Sequence, residues 1–256
     1  MSRATLIALL VLVGLSQRMS ADDLFQFRPA WRGQQGTTYQ QWTFDDDDNP
    51  AAPESILNAY GTASADITVK ENGAGWQESL ITAPERTGVW VDLDAVSLTV
   101  DNSPDALPYK EVWIQVTYYE GSAHPPEVVI DSAELLHTTS EDVGPTDPMG
   151  NSWIVQHSRW RIEPNPSHEV VSLTPSSGPF GMTIDQIVVD TICFAGAGAG
   201  DFDHDGDVDL VDFNIFGQAF SGDGTPTHYF EADLDGDDDC DLQDYVIFLP
   251  NFVGPQ

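Results

Sequence analysis

The chain has 256 residues, a formal net charge of -33 and a pI near 4.1. A surface so poor in Lys and Arg excludes a phosphate-backbone binder, because nucleic-acid affinity rests on those two residues. Hydrophobic residues still make up 41% and there are seven Trp, enough apolar material for a packed domain rather than a disordered acidic chain.

At the N-terminus, Arg3 precedes the apolar run Ala4 to Leu15, and the small residues before Asp22 suit a signal-peptidase site. The run is about a dozen residues against the ~20 needed to cross a bilayer, so residues 1–21 are expected to be a removed export signal. The remainder contains no second long apolar segment, and a secreted or extracytoplasmic, cell-surface protein without a transmembrane segment is expected.

Residues 22–194 read as β. The runs Asp66 to Glu71, Gly88 to Leu93, Ala95 to Val100, Glu111 to Tyr119, Glu127 to Leu135, Ser152 to Ile162, Glu169 to Thr174 and Met182 to Phe194 are β-branched or aromatic with a period near two. Pro, Gly, Asn and Asp clusters separate them, and helical periodicity over a dozen residues is missing. The fold class expected is mainly β, an antiparallel jelly-roll-type β-sandwich. In "EVWIQVTYY", alternation puts Val112, Ile114, Val116 and Tyr118 on one face and Trp113, Gln115, Thr117 and Tyr119 on the other. The second face is half aromatic, so it is either covered by a loop or a binding platform. On the platform reading, Trp113 and Tyr119 are the best candidates for stacking on a sugar ring, with core packing as the alternative for any single Trp.

The composition changes at residues 195–200, where Gly and Ala alternate as in a flexible linker. Residues 201–256 then carry fifteen Asp and Glu, no Lys or Arg and no Trp. Two stretches there have carboxylates at positions 1, 3, 5, 7, 9 and 12 of a loop: Asp201, Asp203, Asp205, Asp207, Asp209 and Asp212, then Asp233, Asp235, Asp237, Asp239, Asp241 and Asp244. This is the ligand spacing of an EF-hand-type calcium loop, in which alternate residues of a tight turn aim oxygens at one Ca2+. Gly206 permits the turn in the first loop, whereas Asp238 stands there in the second and predicts a weaker or strained site. By analogy with calcium loops, positions 1, 3, 5 and 12 supply side-chain ligands, position 7 its backbone carbonyl, and position 9 a direct or water-mediated contact. Two ions are expected.

After each loop an apolar pattern follows, Leu210, Phe213, Phe216 and Phe220, then Leu242, Tyr245, Phe248 and Phe252, which predicts two short helices burying each other. No amphipathic helix precedes either loop. These paired loop-and-exit-helix units resemble the type I dockerin family over residues 200–256. The resemblance implies a calcium-organised α-helical module that docks onto a cohesin-like protein through residues at loop positions 10 and 11 and further down each helix. At those first positions this chain has Leu210-Val211 and Leu242-Gln243, where small hydroxyl residues are common, and further down it has Gly217-Gln218 and Leu249-Pro250, where basic residues are often found.

Cys193 and Cys240 fit an oxidising compartment. A bridge between them would pin the module to the body; otherwise Cys240 is a small buried apolar residue. The functional expectation is a secreted, non-catalytic protein whose β-sandwich binds a polysaccharide and whose dockerin-like module docks a protein partner. The alternatives are a calcium-dependent scaffold of the cell envelope or, behind it, a glycoside hydrolase using a carboxylate pair drawn from Glu111, Glu127, Asp131 and Glu134.

Overall fold

The computed structural model describes residues 28–29, 31–33, 36–82, 85–103, 109–121, 125–176, 180–194, 200–203, 207–227, 229, 231–235, 237 and 239–252. The expected export signal, and all of the linker except Gly200, lie outside the described residues.

The protein is mainly β. Its strands are β1 (Thr37–Trp42), β2 (Ser55–Leu57), β3 (Ala63–Val69), β4 (Gly75–Leu80), β5 (Arg86–Asp101), β6 (Tyr109–Tyr119), β7 (Pro126–Ile130), β8 (Ala133–Asp142), β9 (Trp153–Ile162), β10 (His168–Pro175) and β11 (Met182–Phe194). Two helices follow, α1 (Leu210–Ala219) and α2 (Leu242–Phe248), the second running into a 3-10 turn at Leu249–Asn251. All strand pairings are antiparallel.

The long strands β5 and β11 serve two layers each. The C-terminal half of β5 lies between β10 and β3, with β7 beyond β10; the C-terminal half of β11 lies between β1 and β6, with β9 and β8 beyond β6. The first half of β5 turns to pair with β4 and with the start of β11, joining the two layers at a corner. Register shifts between Met182 and Ile184 and between Ile184 and Gln186 on β11 produce the bend, as bulges do where strands change sheets.

Sequence alternation places the core correctly. Val96, Leu98 and Val100 of β5 face Val112, Ile114 and Val116 of β6, with Val171 and Leu173 of β10 and Ile187 and Val189 of β11 completing the interior. Each such side chain contributes roughly 1.5–3 kcal/mol on leaving water. Two expected runs, Gly88 to Leu93 and Ala95 to Val100, are one strand, with Asp92 in the left-handed region (φ 59) at the corner. The expected run Glu127 to Leu135 is instead two strands, β7 and β8, separated at Ser132 (φ 62), where the chain passes from β7, paired with β10 in one layer, to β8, paired with β9 in the other. Gly88 marks a close backbone approach: its φ is +71, and a Cβ there would lie 2.5 Å from the Phe44 carbonyl oxygen.

Beyond residue 200 a separate cluster forms from Phe202, Val208, Phe216, Ala219, Ala232, Cys240 and Phe248. The helices meet through Phe216 and Phe248, with ring centroids 5.3 Å apart. The expected apolar stripes do not bury each other whole: Leu210, Phe213, Phe220 and Leu242 are exposed. Helices of 10 and 7 residues are too short to bury a full stripe, and the loops supply the missing core through Phe202, Val208, Ala232 and Cys240.

Candidate metal centre

Each acidic loop folds back onto the aspartate at its twelfth position. Asp212 is wholly buried; its Oδ1 accepts the backbone N–H of Phe202 at 2.5 Å and of Asp203 at 3.1 Å, and its Oδ2 that of Asp209 at 2.7 Å. Asp244 is equally buried and accepts from Leu234 at 2.6 Å, Asp235 at 3.1 Å and Asp241 at 2.7 Å, the matching positions of the second loop. Asp209 and Asp241 cap the helices: each carboxylate accepts from the residue two further on, Val211 at 2.7 Å and Gln243 at 2.6 Å. Position 9 thus has a structural task that the ligand spacing alone does not reveal.

Carboxylate oxygens of Asp201, Asp203 and Asp212 lie within 4.8 Å of one another, as do those of Asp233, Asp235 and Asp244. These are positions 1, 3 and 12 of each loop. Asp207 and Asp209 gather around Asp212 in a second grouping. Asp237 is brought into neither; its N–H donates to Asp233 Oδ1 at 3.1 Å and its own Oδ1 accepts from Asp239 at 3.3 Å. Asp239 turns its carboxylate away to the Gly224 N–H and to a group with Asp223 and Asp241, as suits a position that offers its backbone carbonyl. Asp223 lies outside the loop spacing, and sequence reading misses it for that reason. Asp205 and Asp238 lie outside the described residues.

The donor set fits a hard cation. Asp235 is pushed above the usual carboxylate range by partial desolvation and then by the like charges of Asp244, Asp237 and Asp233. The nearby Cys240 thiol is pushed up to about 12, by burial first and then by the surrounding carboxylates, so it offers no thiolate to a softer metal. Converging oxygens with no Lys or Arg in either loop match calcium. Asp201, Asp203 and Asp212 would hold one ion, and Asp233, Asp235 and Asp244 the other. The sandwich brings a positive charge toward the second loop: against the desolvation of burial, Arg159 of β9 is held in its charged form by Glu111 and, more weakly, by Glu231 and Asp233.

The expected aromatic platform is not open. Trp113 is 3% exposed, packed edge-on against Trp31 with centroids 5.9 Å apart and against His157 at 5.2 Å. Arg32 pairs with Asp190 through two bonds, at 2.5 and 2.6 Å, on the strand beside it. The 31–33 segment therefore covers this part of the face, and alternation, which gives the face, does not say what covers it. Tyr119 is on the same face but packs on Trp153 and donates its hydroxyl to Asp147, so the pair presents no flat aromatic surface. Of the carboxylates considered for catalysis, Glu111 is buried and bonded to Arg159 at 2.9 and 3.1 Å. Burial alone would raise its pKa, but the attraction and hydrogen bonds of Arg159 outweigh it and keep the carboxyl below the usual range. The bridge considered between Cys193 and Cys240 is not formed: Cys240 is inside the C-terminal cluster, and the Cys193 thiol is turned to Asn102 and Asn165.

No family model matches the chain, and no curated protein matches it.

Behind Trp113, His157 is fully buried, and burial, with His137 and Arg159 adding to it, pushes its pKa down to about 3. The unfolded chain takes up a proton near pH 6.5 that the folded chain refuses, so stability is full above that pH and falls as the pH drops toward 3. Urea midpoints measured between pH 7 and 4 should show a loss of about 1.4 kcal/mol per pH unit from this group. His157→Gln should flatten that slope, and an unchanged slope would assign the acid sensitivity elsewhere.

Proposed function

We propose that this is an exported, non-catalytic protein in which a calcium-organised C-terminal module of dockerin type docks a protein partner, with a jelly-roll-like β-sandwich as the body it attaches. The observation that carries the reading is the repetition: two loops whose closing aspartates accept from the same three backbone positions and whose first, third and twelfth carboxylates converge. A solvated acidic tail has no reason to repeat buried geometry. The docking part is supported by exposed apolar side chains at matching places, Leu210 at 60% and Leu242 at 67%, with Val211, Val246 and Leu249 also exposed. Large apolar side chains left in water at the start of both helices suit a partner surface. With Trp113 inside, an attachment role is better supported than polysaccharide binding at that face.

Two measurements test this on the full mature chain. Calorimetric titration with calcium chloride should find two ions, and absence of binding heat and of any calcium-linked rise in melting temperature would overturn the reading. Leu210→Ser with Leu242→Ser should keep calcium binding while weakening capture by a cohesin domain about tenfold or more, the loss of roughly 1.4 kcal/mol or above. A cohesin panel that ignores the calcium-loaded wild type would remove the docking half.

A further inference from the structure

At one end of the sandwich the core contains three polar side chains where apolar ones are due. Lys110 continues the inward phase of Val112, Ile114 and Val116 on β6, and Glu169 that of Val171 and Leu173 on β10. Asn102, just past β5, extends the inward series Val96, Leu98 and Val100 by one step. Lys110 is 0%, Glu169 2% and Asn102 5% exposed. A buried ion pair is seldom more stable than apolar residues of the same size, so stability alone gives no reason for a lysine here.

The contacts among the three supply one. Lys110 Nζ lies 2.7 Å from Glu169 Oε1 and donates to Asn102 Oδ1. The Asn102 amide is fixed on both sides: its Nδ2 donates to Asn165 Oδ1 at 2.6 Å and to the Pro166 carbonyl at 2.7 Å, while its Oδ1 also accepts from the Ser103 N–H at 3.0 Å and the Cys193 thiol at 3.4 Å. An amine thus sits against a carboxamide carbonyl, with a carboxylate on the amine and two further donors on the oxygen.

We propose that Lys110 and Asn102 join in an internal isopeptide bond, formed by the protein itself with Glu169 as the proton carrier. Nζ attacks Cγ of Asn102, the Nζ–Cγ bond forms, the Cγ–Nδ2 bond breaks, and Nδ2 leaves as ammonia. Glu169 takes the proton that Nζ loses and delivers it to the departing nitrogen, so no oxidant, reductant or second substrate is needed. The Ser103 N–H and the Cys193 thiol face the oxygen on which negative charge builds in the tetrahedral intermediate. Burial lowers the pKa of Lys110 and raises that of Glu169 against their mutual attraction, so both shifts reduce the cost of passing the proton from the amine to the carboxyl. Because β5 and β6 belong to different layers at this end, the bond fastens one layer to the other.

The test is the intact mass of the folded wild-type protein followed by tryptic mapping. The expected result is a chain one ammonia lighter than its sequence, uncut by trypsin after Lys110, yielding the single peptide Thr87 to Arg159, one ammonia light and closed into a loop between Asn102 and Lys110. Glu169→Gln and Lys110→Met should each keep the full mass. Folded wild-type protein of full mass, with Lys110 cut normally, would overturn the proposal without reliance on either variant. A lighter chain whose missing ammonia maps to another residue would do the same.

Discussion

Addition of a calcium chelator should abolish the helical far-UV signal while leaving tryptophan emission unchanged. The two signals separate because, among the described residues, both helices lie beyond residue 200, whereas all seven Trp precede the linker. The C-terminal core is small, seven buried residues led by Phe202, Phe216 and Phe248, and an apolar core of that size is marginal on its own. Ligand linkage supplies the rest: calcium at about a hundred times its dissociation constant adds about 2.7 kcal/mol per site. Without the ion, the converging carboxylates repel and α1 and α2 lose their anchors. Asp212→Ala should reproduce the effect in its own loop, since it removes a charge and the acceptor of three backbone N–H groups. Asp244→Ala should do so in the other loop. A helical signal that withstands both the chelator and Asp212→Ala would show that the loops hold without metal.

Legibility in the sequence follows what each residue pattern encodes. The interior positions of β5, β6, β10 and β11 are readable because those strands alternate apolar with polar side chains. β1 is not, since "TTYQQW" buries Thr37, Thr38, Gln40 and Gln41, and polar residues in buried positions leave no hydrophobic period. Asp92 and Ser132 look alike in sequence, yet one bends a continuous strand and the other separates two strands of different layers, a difference set by what pairs on either side. In the acidic loops, spacing identifies the carboxylates because the ligand positions are fixed along the chain. It does not identify Phe202 and Val208, which lie between carboxylates and form part of the module's core. Trp113 illustrates the same limit from the other side: its face follows from alternation, but Trp31, distant in sequence, decides its exposure. Lys110, Asn102 and Glu169 occupy core phases in three separate segments, and only the fold brings them together.

Replacing Arg86 by Met should cost the sandwich about 3–5 kcal/mol, among the largest losses for a single side chain. Arg86 opens β5 and lies 3.2 Å from Asp185 of β11, the two side chains being 2% and 0% exposed. Its guanidinium also stands over the Trp153 ring, 5.3 Å from the centroid, and Trp153 of β9 donates its indole N–H to Thr82 at 2.8 Å. One cation therefore ties three strands together where β5 and β11 change partners. Removing it takes the Arg86 charge away from a fully buried carboxylate, and most of the cost is that lost compensation rather than the lost contact. Arg86→Met combined with Asp185→Leu removes the charge as well and should recover most of the loss, giving a large coupling energy in a double-mutant cycle of urea denaturation. A cost below about 1 kcal/mol for Arg86→Met, or no recovery in the double variant, would mean that the pair does not govern the corner.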